Sequence, residues 1–395
     1  MKKRGQSPLV VIFLTVLVDL IGFGIVIPLV SLYGRHYGAE AWQLSLLGGI
    51  YSLMQFFFAP IWGALSDRVG RRPILLLSLF GSTVSYLIFA FAPGILWLLI
   101  ARAWGGLFAA NISTAQAYIA DVTSEKDRAK GMGMIGAAFG IGFTLGPPIG
   151  GIASAKLGLW APGMIAATIC GLNLLLAVFR LPESLPPSAR QKSTSFSYAP
   201  FPMARVKQIL KHPYLAYFLL TFFFFTFAFS NMEQTLSLLF QTQLNLDTGE
   251  AGYKTGMVLM VSGLFGALIQ GGLIRKLVPK YGEKKLLLVG LVINAFAMAA
   301  FPFSPSYGFY FVLALPLALG SSLINPSLSS LISKSASSHQ QGSTLGISQG
   351  LGSLARAAGP FCGLMTFAYH PAYPYLIASI ISVWLWWLNR RLKNS

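Results

Sequence analysis

The chain of 395 residues is poor in charge: only 10% of its residues are Asp, Glu, Lys or Arg, against roughly 25% in an ordinary soluble domain. A water-facing surface cannot be built from so few charged side chains, so a soluble globular protein is excluded and most of the chain must face lipid or other apolar helices. Acids are scarcest, with 11 Asp+Glu against 29 Lys+Arg and a net charge of +18. In a soluble protein that excess would point to nucleic acid. Here the bases fall in short segments between apolar runs, so membrane topology accounts for them and no nucleic-acid partner is expected. Only two cysteines occur, Cys170 and Cys362, both inside apolar runs. They read as small packing residues, neither a disulfide nor a metal pair. The four histidines, His36, His212, His339 and His370, sit at the ends of runs or between them. No metal cluster, no cofactor motif and no nucleophile–base pair emerges, and an enzyme is not expected.

What is present is hydrophobic length. The chain is 55% hydrophobic with a mean hydropathy of +0.66. A spanning helix needs about 20 largely apolar residues. Twelve runs qualify: 9–33, 42–65, 73–92, 94–120, 129–156, 160–181, 213–243, 252–278, 284–302, 307–333, 340–369 and 371–390. The first begins after Lys2, Lys3 and Arg4, as a signal peptide would. It is too long for a signal h-region, contains Asp19 and lacks a small-residue cleavage site, so it is read as a retained helix. The fold class expected is an all-α membrane protein of about twelve transmembrane helices in two pseudo-symmetric six-helix bundles.

The bases set the orientation. Alternate connections carry Arg68, Arg71 and Arg72, then Lys126, Arg128 and Lys130, then the run from Arg180 to Lys211, then Arg275 to Lys285 and Lys334. The opposite connections carry only Arg35, Lys156 and Lys254. The positive-inside rule then puts both termini in the cytoplasm, in a cytoplasmic (inner) membrane. Residues 182–211, rich in Pro, Ser and bases, read as a cytoplasmic linker between a bundle at 1–181 and one at 212–395, with an amphipathic surface helix expected at 204–211. The halves carry a degenerate repeat: Gly63 to Arg68 answers to Gly271 to Lys276, and Gly140 to Pro147 answers to Gly350 to Pro360, each about 210 residues apart. Parallel repeats of this kind place a substrate site between the halves near midplane.

Four ionisable residues lie well inside the runs: Asp19, Arg102, Glu233 and Arg356. A charge at that depth costs roughly 2.5–3.5 kcal/mol even on the lenient insertion scale, so each should face a partner or a water-filled cavity. Asp19 lies about 15 Å in from one end of its helix and Arg102 about 10–12 Å in from the other, at 1.5 Å per residue. The two therefore sit at similar heights, and an Asp19–Arg102 pair is feasible. Asp19 or Glu233 can bind and release a proton; alternatively Asp19–Arg102 is a fixed structural pair and Glu233 closes a local polar contact. In the fifth run, Gly142, Gly146, Pro147, Gly150 and Gly151 make a flat, proline-interrupted face for close helix contact, a seam on which the halves can rock. Asp121 can pair with the arginines of the 67–72 turn. The phenylalanines 222–225, 227 and 229 face lipid in part and can line a pocket in part. Gly131-x-Gly133-x-x-Gly136 and Gly346-x-Ser348-x-Gly350 match nucleotide and hydrolase patterns, but in helical, apolar context neither has its required surroundings.

The stretch Gly63-Ala64-Leu65-Ser66-Asp67-Arg68-Val69-Gly70-Arg71-Arg72-Pro73 resembles the signature loop between helices two and three of the major facilitator superfamily. Asp19-x2-Gly22-x-Gly24-x3-Pro28, Arg102-x2-Gly105-Gly106, Ala117-Tyr118-Ile119-Ala120-Asp121 and the glycines at 142–151 resemble its drug:proton antiporter branch, and tetracycline-type efflux proteins in particular. The resemblance implies alternating access and export of a drug-like or amphiphilic molecule against protons by a monomer. By match, Asp19 would be a coupling or substrate-site acid and Arg102 the helix-four arginine linked to proton movement. Asp67, Arg68, Arg72 and Asp121, with Gly63 and Arg71 in the same loop, would form the charge network of the outward-facing state. The chain departs from the tetracycline pattern at Ser85, where those exporters carry an acid, and in having no acid in helices nine or ten; both speak against metal–tetracycline export. Glu233 and Arg356 would then take part of the coupling. A lipid or metabolite carrier, an intramembrane enzyme and a receptor are the competing readings.

Overall fold

The computed structural model describes residues 8–109, 111–123, 125–186, 213–335 and 341–391. The linker from residue 187 to its end, with the expected surface helix at 204–211, and the bases Lys2, Lys3 and Arg4 lie outside the described residues. Twelve long helical segments succeed one another. They are α1 (Pro8–Val26, continuing through a 3-10 turn at Ile27–Leu29 into Val30–His36), α2 (Ala41–Val69), α3 (Arg71–Ala90), α4 (Ile95–Leu107, then Asn111–Val122), α5 (Glu125–Leu157) and α6 (Trp160–Arg180). They continue with α7 (Pro213–Gln243), α8 (Thr248–Leu268, a π turn at Ile269–Leu273, then Ile274–Tyr281), α9 (Glu283–Ala300 with a 3-10 turn at Phe301–Phe303), α10 (Tyr307–Ser335), α11 (Gln341–Phe367) and α12 (Tyr373–Arg390). Among the described residues nine of these are long and apolar enough by composition alone to cross a membrane. The protein is an all-helical, multi-pass membrane protein.

Short turns join antiparallel neighbours. Gly70, between α2 and α3, has φ +110°, and Gly282, between α8 and α9, has φ +75°. A side chain at either position would be strained, so glycine fixes the same tight turn in corresponding places of the two halves. This pairing, 212 residues apart by position, is a sharper mark of the repeat than the glycines at 63 and 271.

The core divides accordingly. One apolar cluster is built almost wholly on α1–α6, around Ile12, Leu29, Leu75 and Tyr118. Two others are built on α7–α12, around Phe240, Phe301 and Tyr375 and around Leu219, Leu287 and Leu328.

One helix departs from the expected continuous run. α4 breaks between Leu107 and Asn111, just past Gly105-Gly106. Irregular backbone at membrane depth survives only where protein satisfies its polar groups. Here Trp62 Nε1 donates to the Leu107 carbonyl (2.6 Å), Ser78 Oγ to the Phe108 carbonyl and Gln55 Nε2 to the Ala109 carbonyl (3.5 Å). Three side chains from α2 and α3 thus replace the helical hydrogen bonds lost at the break.

The halves meet along two seams, both toward the end opposite the cationic 63–73 turn. On one, α5 meets α8: a Cβ at Gly256 would sit 2.5 Å from the Pro147 carbonyl oxygen, one at Gly151 2.5 Å from that of Gly252, and one at Gly263 2.5 Å from Thr144 Oγ1. On the other, α2 meets α11, where a Cβ at Gly49 would sit 2.5 Å from the Ala357 carbonyl oxygen and Ser45 Oγ donates to the Phe361 carbonyl (3.3 Å). Ser31 of α1 adds a bond to the Gln234 carbonyl of α7 (2.8 Å). Toward the other end, among the described residues, a Cβ at Gly63, Gly140 or Gly272 would meet nothing within 4 Å.

Gly256→Val should wedge this seam at a cost of about 1–3 kcal/mol. In a Cys362→Ala background, labelling of a Ser31→Cys reporter in micelles by a polar thiol reagent should rise about tenfold, as 1.4 kcal/mol dictates. Unchanged labelling would mean that closure at this end does not depend on the α5–α8 seam.

Candidate functional site

The four intramembrane charges converge between the halves, on α1, α4, α7 and α11, around a residue with no motif of its own: Tyr51 of α2. The Arg102 guanidinium lies over the Tyr51 ring, 4.6 Å from its centroid, and 5.8 Å from that of Phe23. Asp19, Arg102 and Arg356 all lie within electrostatic reach of the Tyr51 side chain. Arg102 is buried, at 4% exposure, and its Nε has no hydrogen-bond partner. Aromatic faces rather than a carboxylate hold this cation at depth.

Asp19 does not pair with Arg102: the ion pairs among the described residues lie elsewhere. Its carboxylate accepts from Ser82 Oγ of α3 (3.3 Å). Asn111, buried at the first turn of the second segment of α4, faces the same carboxyl, though its amide atoms close no hydrogen bond. The break in α4 therefore brings the Asn111 side chain beside an acid in mid-membrane. Asp19 and Tyr51 are only part buried although helices surround them, as residues lining a cavity are.

Glu233, 7% exposed on α7, has Arg356 and Arg102 within electrostatic reach but makes no direct ion pair among the described residues. Arg356 Nη2 donates to Ser353 Oγ one turn away (3.1 Å), and Ser353 Oγ donates to Gln55 Oε1 of α2 (3.4 Å). Phe222 closes on Gly352 beside the Arg356 guanidinium. This phenylalanine faces the interior, whereas Phe224 packs on Trp384 of α12, ring centroids 5.1 Å apart. The result is two carboxyls and two guanidiniums, one of each per half, near one another yet unneutralised by contact.

The cationic turn is organised on Arg71. Its Nη1 binds Asp67 (2.5 Å) and Ser66 Oγ (2.6 Å), and its Nε binds Asp121 Oδ2 at the end of α4 (3.1 Å). Asp121 thus meets Arg71 of the turn, while Arg72 donates from Nη2 to the Val178 carbonyl (2.7 Å). Arg68 lies in the last turn of α2, and Gly63 has open space around it. Glu183, just past α6, accepts from the amide N–H groups of Arg71 and Arg72 (2.9 and 3.2 Å) and so caps α3. Ser184 Oγ donates to Asp121 Oδ2 (3.0 Å) and Tyr118 to the Pro182 carbonyl (3.0 Å). Each of these contacts lies on α1–α6 or the segment just after it.

The small-residue face of α5 splits in two. Gly142, Gly146 and Gly150 lie against Leu20, Gly24 and Ile25 of α1, inside one half; Thr144, Pro147 and Gly151 make the seam with α8. Ser85 is spent structurally, donating to the Ala101 carbonyl (2.8 Å). Ser348 and the Gly131–Gly136 stretch lie within helices α11 and α5.

This arrangement — paired helical halves, a cationic turn fixed by Arg71, charges held in mid-membrane — agrees with the comparison with known families. The Major Facilitator Superfamily model matches residues 12–360 and 272–394. The chain belongs to the major facilitator superfamily. It is a transporter. It is 34% identical over 373 residues to the class C tetracycline resistance protein of Escherichia coli, covering 90% of this chain and 89% of that protein. It is 31% identical over 400 residues to major facilitator superfamily domain-containing protein 10 of Homo sapiens, covering 89% and 85%. The crystal structure of the human organic anion transporter MFSD10 (TETRAN) superposes with a TM-score of 0.74 at 27% identity, covering 97% of this chain and 100% of that one.

Glu183→Gln should loosen the cap on α3 and lower stability by about 1 kcal/mol. Arg71→Gln, which removes the cation shared by Asp67 and Asp121, should cost more than Arg72→Gln, about 1 kcal/mol. Thermal unfolding of the purified variants tests this order; equal midpoints for Arg71→Gln and Arg72→Gln would remove Arg71 from the centre of the network.

Proposed function

We propose that this transporter exports a drug-like or amphiphilic small molecule in exchange for protons, by alternating access. It works as a monomer in the cytoplasmic membrane with both termini inside, and takes no metal or cofactor and performs no covalent step. The observation that carries the reading is the placement of Asp19 and Glu233, one carboxyl in each half, at membrane depth without a contacting arginine. A carboxyl so placed is cheaper to occlude when protonated, so proton binding and closure of the cavity favour each other. A substrate that takes the place of the proton permits the return step. Arg102, held by Tyr51 and Phe23, supplies fixed positive charge between the two sites, and Arg356 answers to it in the second half. With the bases inside, the closed seams are external, and we read the arrangement as a state open toward the inside. Opening the α5–α8 and α2–α11 seams while the turn-bearing ends close would give the outward-open state. Gly63, Asp67, Arg68, Arg71, Arg72 and Asp121 would act at that inner closure.

Similarity to tetracycline resistance proteins supports efflux. A second reading, a metabolite or lipid carrier of the same fold, draws on the human organic anion transporter and on two guanidiniums that no carboxylate neutralises by contact.

Proteoliposomes driven by a pH gradient test the proposal against a panel of lipophilic cations, zwitterions and organic anions. Asp19→Asn and Glu233→Gln should each lower gradient-driven flux at least about tenfold, the effect of roughly 1.4 kcal/mol, while leaving downhill exchange in place. Full gradient-driven flux in both variants would refute the coupling roles. Flux insensitive to a protonophore would favour the carrier reading.

A further inference from the structure

The outer wall of the second half carries a groove with a chemical polarity of its own. It has a volume of about 230 Å3 and is lined by Lys285, Leu288, Val289, Val292 and Ile293 of α9 and Trp386 of α12. Higher up the two helices are tied together: Asn294 Nδ2 donates to Ser382 Oγ (3.1 Å) and Ser379 Oγ to the Ala295 carbonyl (2.8 Å). Below those ties they part, and the groove runs from Ile293 down to Lys285, about 12 Å at 1.5 Å per residue. Its walls are apolar, with Val289 and Val292 exposed. Its foot is cationic. Lys285 lies two residues past the start of α9, and its ammonium rests on the Tyr281 ring, 5.3 Å from the centroid. Arg390, in the last turn of α12, places its guanidinium 5.2 Å from the Trp386 ring centroid. Neither base belongs to an ion pair among the described residues.

We propose that this groove is a binding site for one molecule of anionic phospholipid, its acyl chain lying along α9 and its phosphate at Lys285 and Arg390. The order of features along the helix matches the order in the lipid. Cations stand at headgroup level, an indole at the junction of headgroup and chain, and aliphatic side chains toward midplane. Basic pockets between transmembrane helices on the positively charged side select acidic headgroups in this way. A zwitterionic lipid offers the same chain but returns a positive charge to a site that already holds two. A soluble phosphate fits the foot and leaves the apolar walls wet. The site lies on the lipid-facing wall, away from the central charges, so it stands or falls independently of the proton-coupling proposal.

Native mass spectrometry of the purified full chain, released from micelles doped with equal phosphatidylglycerol and phosphatidylcholine, reads the preference directly. Wild type should retain one phosphatidylglycerol in at least fivefold excess over phosphatidylcholine. Lys285→Gln with Arg390→Gln should bring the ratio near one while leaving elution and unfolding temperature in place, since both side chains are exposed. Val289→Trp, which fills the groove, should lower retention of both lipids, and glycerol phosphate at the same concentration should not compete. An unchanged ratio in the double variant, undiminished retention in Val289→Trp, or displacement by glycerol phosphate would each overturn the proposal.

Discussion

Backbone polar groups at membrane depth must be satisfied by the protein itself, because the bilayer offers no water to do it. That constraint explains the broken fourth helix better than any propensity does. Each unpaired carbonyl would cost about 1–3 kcal/mol at this depth. α2 and α3 therefore supply Trp62, Gln55 and Ser78 to the break. With the break stabilised, Asn111 stands at a helix start facing Asp19, and the first half acquires its central acid site. Arg102, about a turn and a half before the break, is held by aromatic faces. The charge pattern at the centre thus depends on a defect that neighbouring helices repair.

Much of the fold was legible in the sequence, since it depends on length and composition. The boundaries of twelve apolar runs fall near those of twelve long helices because spanning a fixed thickness of hydrocarbon leaves a chain few choices. The site was legible in part. Asp19, Arg102, Glu233 and Arg356 announce themselves because a charge is conspicuous in an apolar run. Tyr51, Gln55 and Asn111 do not, being ordinary residues in helices; the packing of α2 between α4 and α11 gives the first two a role, and the break in α4 beside α1 gives Asn111 its own. The feasible Asp19–Arg102 pair was an inference about height alone. Height along the membrane does not fix the direction in which a side chain leaves its helix.

The glycines teach a related lesson. Those at 142, 146 and 150 were expected on one sliding face, yet they bring α5 onto α1 within a half. The neighbouring Thr144, Pro147 and Gly151, a fraction of a turn around the helix, meet α8 across the halves. One helix thus presents two small-residue faces, one bonding it to its own bundle and one to the other. The Gly252, Gly256 and Gly263 partners on α8 are invisible without the contact, since glycines recur throughout this chain.

Glu183 has a bearing on how the polypeptide can be divided. It sits past the last turn of α6, where a sequence reading would begin the connecting segment, yet it closes the first turn of α3, and Ser184 beside it holds Asp121. The contacts of the first six helices therefore extend through Ser184. A cut made directly after Leu181, as for a split protein or a chimera with another transporter, would leave two amide groups at the start of α3 bare and Asp121 without its serine.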